Sequence, residues 1–497
     1  MSIFATMSWT VLPLCLLGTA AGIVFGFLPG LSATMGVALL MPFTFNMGIM
    51  DSMALLLGVY CGGIYGGSIT AILIRTPGTP AAAATVLDGY PLTQKGKAKE
   101  ALSAATLGST LGGLFSCIIL ILLARAVAAV ALKFGAQEYF AVGIFGMSMV
   151  TALSGKNLRK GIISALLGLM LSTIGMDAIS GATRFTMGNT YMMAGIETVT
   201  ALVGLFAISE IFQKVQKGRD EQKSTVEAYT GKNLSLFRLI KEHPVNLLRS
   251  SIIGTIVGII PATGGGTASW MSYNEARRGS KDPDSFGKGN IDGVIASETA
   301  NNAVTGGALV PLLALGVPGD TVTAVLLGAL MLQGVTPGPM LFVDHVDTVN
   351  GIYVLMIIAN IFMCILGMVG VKLFLKVLKV PSSALTACVL ALCCIGAFAV
   401  RGYTFDIKCA LVLGVLGYLF TKTDYPIPPI LLGLLLGSTV ESNFRRAMSQ
   451  TGGDWTTFFS RPISCVLLII SIIAFCYPIA KAIIHHFKAQ KGTAAAE

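Results

Sequence analysis

The chain is 497 residues long, 54% hydrophobic and only 12% charged, with a formal net charge of +10. A soluble domain carries about a quarter charged residues, so this composition excludes a soluble enzyme and reads as an all-α polytopic membrane protein in a lipid bilayer, with no nucleic-acid partner. The positive balance is read first as topology, because basic residues gather in cytoplasmic loops.

The first apolar run, Trp9 to Leu28, has no Lys or Arg before it, the earliest being Arg75. It lacks the basic head of a secretory signal and is kept as the first membrane helix. Pro29-Gly30-Leu31-Ser32-Ala33-Thr34 then breaks it with residues that stop a helix where the backbone needs partners other than lipid. Gly58, Gly62 and Gly66 follow at steps of four, with Gly63 and Gly67 beside them, a face that lets another helix approach closely. A second break comes at Thr76, Pro77, Gly78 and Thr79. Leu111 to Leu132 and Gly161 to Ile174 are further apolar runs, and Gln213 to Arg249 collects Lys214, Lys217, Arg219, Lys223, Lys232, Arg238 and Lys241 as a cytoplasmic linker.

The second half repeats this plan. Pro261-Ala262-Thr263-Gly264-Gly265-Gly266-Thr267 echoes the first break, and Gly254-Thr255-Ile256-Val257-Gly258-Ile259 before it matches Gly18-Thr19-Ala20-Ala21-Gly22-Ile23. Gly306-Gly307 leads to Pro318-Gly319-Asp320 as Gly66-Gly67 leads to Pro77-Gly78-Thr79, and Ala165 to Gly168 resembles Ala410 to Gly414. A separation of roughly 240 residues marks the duplication of a whole bundle. Ile352 to Leu375, Ala384 to Ala399 and Ile463 to Ile484 bring the total to roughly ten to twelve crossings.

Charge orients the copies. The loop Pro42 to Asp51 has no basic residue, whereas its counterpart holds Arg277, Arg278, Lys281 and Lys288; the next loop holds Lys95, Lys97 and Lys99 against Asp344, His345 and Asp347. Equivalent loops on opposite faces are the mark of two inverted-topology repeats with broken helices, the plan of many secondary transporters. The expected division is 1–213 for the first repeat, 214–249 for the linker, 250–462 for the second repeat and 463–497 for an additional helix with a basic tail. The amino terminus is then outside and the carboxy terminus inside.

Three groups of residues could carry function. At the breaks a resuming helix offers free N-H groups and its positive end, where anions bind without a salt bridge. Gly30, Ser32, Thr34, Thr263, Gly264, Gly265 and Thr267 form one shell, and Thr76, Gly78, Thr79, Gly319 and Asp320 another. On the polar segment Ser297 to Thr305, the amides Asn301 and Asn302 can donate to a carboxylate or accept from a donor. Glu298 and Asp320 are the coupling candidates, since acidic groups at membrane depth are expensive unless they work. The cysteines lie mostly in apolar runs and the four histidines in loops or the tail, so no metal site is read from them. Arg75 pairs with substrate or reaches lipid headgroups.

Gly22 to Thr34, Pro261 to Asn274, Ala296-Ser297-Glu298-Thr299-Ala300-Asn301-Asn302-Ala303 and Leu315-Gly316-Val317-Pro318-Gly319-Asp320 together resemble the large membrane subunit of tripartite tricarboxylate transporters, the TctA family. The resemblance covers nearly the whole chain. It implies a multi-pass permease of the bacterial inner membrane, a separate small TctB-like membrane subunit, a TctC-like periplasmic solute-binding protein, and uptake of citrate or other carboxylates coupled to Na+ or H+, with no cofactor. Two other readings compete. A channel for small anions would use the broken helices as a filter, but paired copies favour alternating access. An intramembrane enzyme would use Gly319-Asp320, which loosely resembles the Gly-x-Gly-Asp of aspartyl proteases. It needs a second Asp in a neighbouring helix, and Asp344, Asp347, Asp406 and Asp424 all sit in or near loops, so no enzymatic activity is expected.

Overall fold

A computed structural model of the chain describes residues 8–28, 31–148, 158–177, 179–217, 232–261, 263–371 and 382–475. Gly30, the middle of the linker and the basic tail lie outside the described residues. In chain order the helices are α1 Val11–Phe27, α2 Ala33–Leu40, α3 Ile49–Ile74, α4 Val86–Gln94, α5 Ala98–Ala131, α6 Ala136–Ser148, α7 Leu158–Ser172, α8 Thr198–Leu202, α9 Ser209–Lys217, α10 Leu236–Glu242, α11 Pro244–Ile259, α12 Gly264–Arg278, α13 Ile291–Leu315, α14 Thr321–Leu332, α15 Leu341–Asp344, α16 Val346–Val369, α17 Ser382–Arg401, α18 Thr404–Lys422, α19 Ile427–Gln450, α20 Thr457–Ser460 and α21 Pro462–Phe475. One hairpin, β1 Gly175–Met176 against β2 Thr183–Arg184, stands between α7 and α8.

Among the described residues six helices are long and apolar enough to cross a membrane, and six more apolar helices are shorter. Four of the shorter ones flank the breaks, two at the first break, one before the third and one after the fourth, because proline and glycine stop each helix part-way. The chain folds as an all-α polytopic membrane protein. It divides into two compact units, Met1–Leu132 with Val199–Tyr418, and Lys133–Thr198 with Leu419–Glu497.

The first unit holds all four breaks and is built on two helix pairs with the same contacts. Gly22 and Gly26 of α1 press on α3: a β-carbon at Gly22 would stand 2.4 Å from the Val59 carbonyl oxygen, and one at Gly26 2.1 Å from that of Gly63. In the other pair, Gly254 and Gly258 of α11 stand in the same way against Ala300 and Val304 of α13, at 2.2 and 2.7 Å. The contacts therefore match Gly22 with Gly254, one helical turn away from the match of Gly18 with Gly254 that the sequence suggests. Both pairs are clasped at their starts. Thr10 donates to Asp51 over 2.7 Å, and His243 meets Asp292 over 2.8 Å.

α3 and α13 also end alike. Arg75 and Gly316 are both left-handed caps, and Thr76 N-H and Val317 N-H each reach back six residues, to the Thr70 and Pro311 carbonyls. Loops meet across the halves: Lys95 donates to the Lys288 carbonyl over 2.6 Å, while Gln333 donates to the Thr44 carbonyl over 2.8 Å. Each loop thus touches the non-equivalent loop of the other half, the pairing that inverted copies produce. The described part of the linker packs back on the bundle, with Leu234, Leu239, Leu247, Ala104 and Ile295 in one cluster and Leu234 N-H bonded to Ser103.

In the second unit α19 crosses α7 at small residues. A β-carbon at Gly168 would lie 2.0 Å from the Ile430 carbonyl oxygen, and one at Gly433 2.4 Å from that of Ala165. Arg184 of the hairpin bridges Asp177 and Glu441, and Arg445 bridges the same two acids. Bonds from Ser180 and Arg445 hold the Asp177 carboxyl well below the usual carboxylate range. Arg461 pairs with the buried Glu138 at 2.7 Å.

Candidate functional site

Two junctions form where a first break of one half lies against a second break of the other. In one, Ser32 caps α2 by accepting from Met35 N-H at 3.1 Å, Thr34 and Thr321 hydroxyls lie 3.0 Å apart, and Tyr60 donates to Asp320 over 2.7 Å. Asp320 also accepts from Thr323 N-H and hydroxyl, at 2.7 and 2.8 Å, in a capping box that starts α14. This junction is closed by hydrogen bonds.

In the other junction the start of α12 faces the second break of the first half. A β-carbon at Gly266 would lie 4.0 Å from the Pro80 carbonyl, and one at Gly265 3.4 Å from the Ala81 β-carbon and 2.3 Å from Asn301 Oδ1. Gly264 takes a φ of 68°, which a residue with a side chain adopts only under strain. Asn301 and Thr79 stand where Tyr60 and Asp320 stand in the first junction, yet they do not bond. Asn301 is wholly buried and Thr79 5% exposed, and both Asn301 Oδ1 and Thr79 Oγ1 are without a partner. The junctions adjoin where α3 crosses α13, with Asn301 Nδ2 3.5 Å from the Ile64 carbonyl.

The expected site residues sort by what they touch. Thr263 turns its hydroxyl back to the Val257 and Ile260 carbonyls, the latter at 2.8 Å, and so caps the end of α11. Thr267 is exposed in the first turn of α12. Thr76 donates to the Ile74 carbonyl. Gly78 and Gly319 are packing positions, since a β-carbon would stand 2.1 Å from the Gly26 carbonyl in one case and 2.5 Å from the Ala308 α-carbon in the other. Arg75 is exposed and lies over the Tyr90 ring at 5.9 Å.

Asn301 and Asn302 face different neighbours. Asn302 donates to Ser109 of α5 over 2.8 Å, and Glu298 accepts from Thr85 and, at 3.4 Å, from Ser109. Ser297 lies 2.9 Å from Thr85 in the same network. All five of these side chains are fully buried.

Sequence reasoning missed Glu210 and Asp88. Glu210 accepts from Ser32 at 3.3 Å and follows a π-helical turn, Val203–Ile208, an irregularity common at functional sites. Asp88 is fully buried and accepts from Tyr273 and from the N-H groups of Gly287, Gly289 and Asn290, at 2.8 to 2.9 Å. It pins α12 and the start of α13 to the first half. A lone acid in Val-Leu-Asp-Gly carries no signal of that role, whereas Glu210, at the end of an apolar run, could have been flagged.

A 52.8 kDa protein of Agrobacterium vitis, uncharacterized and placed in the TAR-I ttuC' 3' region, is 38% identical over 462 residues, which cover 92% of this chain and 91% of the relative. An uncharacterized protein in the TAR-II ttuC' 3' region of the same organism is 36% identical over 220 residues, 44% of this chain and 91% of its own length. No solved structure matches. The family model of the tripartite tricarboxylate transporter TctA family matches residues 12–432, and with the doubled, broken-helix bundle already described the chain belongs to that family.

Proposed function

We propose that the chain is the permease of a cation-coupled uptake system for tricarboxylates or related carboxylates in the bacterial inner membrane. It works with a small membrane subunit and receives substrate from a periplasmic solute-binding protein. One observation carries the reading: the half-buried start of α12, which no side chain caps, faces the break of the other half, with a fully buried amide alongside. A carboxylate binds such a helix start through the backbone, and Gly265 and Gly266 leave room for it.

Glu298 is the stronger coupling candidate, because its partners are two hydroxyls and the Asn301 amide, none of them a cation, and a dry carboxylate carries either a proton or a compensating cation. Asp320 is already bound into the helix cap and to Tyr60. Uptake of labelled citrate and a panel of di- and tricarboxylates into vesicles, with the soluble receptor supplied, tests the reading. Gly265→Leu should abolish uptake in protein that reaches the membrane, and Thr267→Ala should weaken it by about 1 to 3 kcal/mol. Unchanged affinity in both variants, or conduction without the receptor, contradicts it.

A further inference from the structure

We propose that the open junction reads a hydroxyl group next to a substrate carboxylate, and that Asn301 Oδ1 is the acceptor that determines this specificity. The inference rests on the reading that a carboxylate binds at the start of α12. Asn301 Nδ2 has its acceptors on the side away from α12, the Ile64 carbonyl at 3.5 Å and the Glu298 carboxylate, and the amide oxygen is turned to Gly265. That oxygen is fully buried and has no donor, as is also true of Asn302 Oδ1 and Asn360 Oδ1, and it is set against the first turn of α12.

The junction therefore offers two opposite demands within one helical turn. The first N-H groups of α12 want an acceptor, and Asn301 Oδ1 wants a donor. A bare carboxylate meets the first demand and sets its own oxygen against the amide oxygen. A cation would meet the second, but the positive end of α12 disfavours it there. A hydroxyl on the carbon beside the carboxylate meets both, because its hydrogen lies between the two oxygens. The other junction shows the alternative: there Tyr60 supplies the hydroxyl from within the protein and the bond to Asp320 closes the gap. Asn301 is shorter than a tyrosine and leaves its half to be completed by the ligand.

The test uses the full chain in lipid nanodiscs and two matched pairs of probes, citrate with propane-1,2,3-tricarboxylate and malate with succinate, measured by calorimetry. The hydroxylated member of at least one pair should bind about tenfold tighter or more, the discrimination expected of a site built to bond a hydroxyl. Asn301→Leu should reduce that preference to less than twofold by weakening only the hydroxylated member. Without ligand the same variant should melt only slightly below the native chain, because it gives up just the amide N-H bonds to the Ile64 carbonyl and to Glu298, while the unpaired oxygen contributes nothing. Equal loss for both members of a pair, or a melting point well below the native one, assigns Asn301 a structural role and overturns the proposal. Gly265→Leu separates the two levels. If it abolishes binding of every probe while Asn301→Leu leaves the preference intact, the carboxylate reading stands and the hydroxyl reading falls. If it leaves all binding intact, or if the native chain binds none of the probes, both fall.

Discussion

The two helix pairs, α1 with α3 and α11 with α13, share contacts and differ in side chains. In the first, three glycines of α3 face α1, and a β-carbon at Gly62 would stand 2.2 Å from the Thr19 carbonyl oxygen. In the second, α13 carries a methyl at Ala303 against Gly254 and places Glu298, Asn301 and Asn302 on its other sides, all fully buried. Beyond the Thr10 to Asp51 clasp, the first pair meets through bare backbone at these glycines, while the second adds a polar lining. The two copies of the bundle thus differ in their lining, bare backbone in one and polar side chains in the other, and the two junctions follow suit, one closed by Tyr60 and Asp320 and the other left open at Asn301 and Thr79.

The largest test of that contrast is Gly62→Leu. It should leave little folded protein in the membrane fraction, because the backbones of α1 and α3 cannot meet around a side chain. Ala303→Gly at the corresponding place should fold, at a cost of about 1 kcal/mol. Chromatographic yields of the two variants decide the matter, and a well-folded Gly62→Leu with normal yield would show that the first pair is not held by close contact.

Glu298→Gln comes next, since it changes the lining and leaves the frame alone. Uptake measured against sodium concentration and pH should lose its dependence on one of them while expression stays normal. A variant with native dependence on both removes Glu298 from coupling and makes Asp320→Asn the next substitution.

The smallest effect concerns the clasps. Thr10 and Asp51 join the first pair with no group that titrates near neutrality at the donor, whereas His243 joins the second to Asp292. The Asp292 carboxylate holds the His243 imidazolium above its ordinary range, with Glu242 adding to this and burial and Arg238 opposing it. A raised pKa in the fold means stability that is fully present below about pH 6.5 and lost as pH rises through the shifted value. Melting points should fall slightly over that window, and Asp292→Asn should flatten the profile. A slope that survives Asp292→Asn assigns the titration to another group.

Much of this arrangement was legible in the sequence. Proline and glycine inside apolar runs announce breaks, and glycines at steps of four announce close packing. The register was not, because glycines that recur every four residues look the same after a slip of one turn, and only the contacts of Gly22 and Gly254 with α3 and α13 settle it. Asn301 and Asn302 were equally legible as polar, but neighbours on a helix point about 100° apart, and which one faces the break depends on α5 and α12. Asp88 was illegible for a different reason: its partners are main-chain N-H groups far along the chain, which no residue type marks.

The central claim is that substrate binds at the open junction, and a structure of the chain in nanodiscs with a transported carboxylate tests it most directly. Ligand should lie at the start of α12 within hydrogen-bonding distance of Gly265 N-H and Asn301 Oδ1, with the Tyr60 to Asp320 bond unchanged. Ligand seated between Thr34 and Thr321, or held by Arg75, would contradict the account.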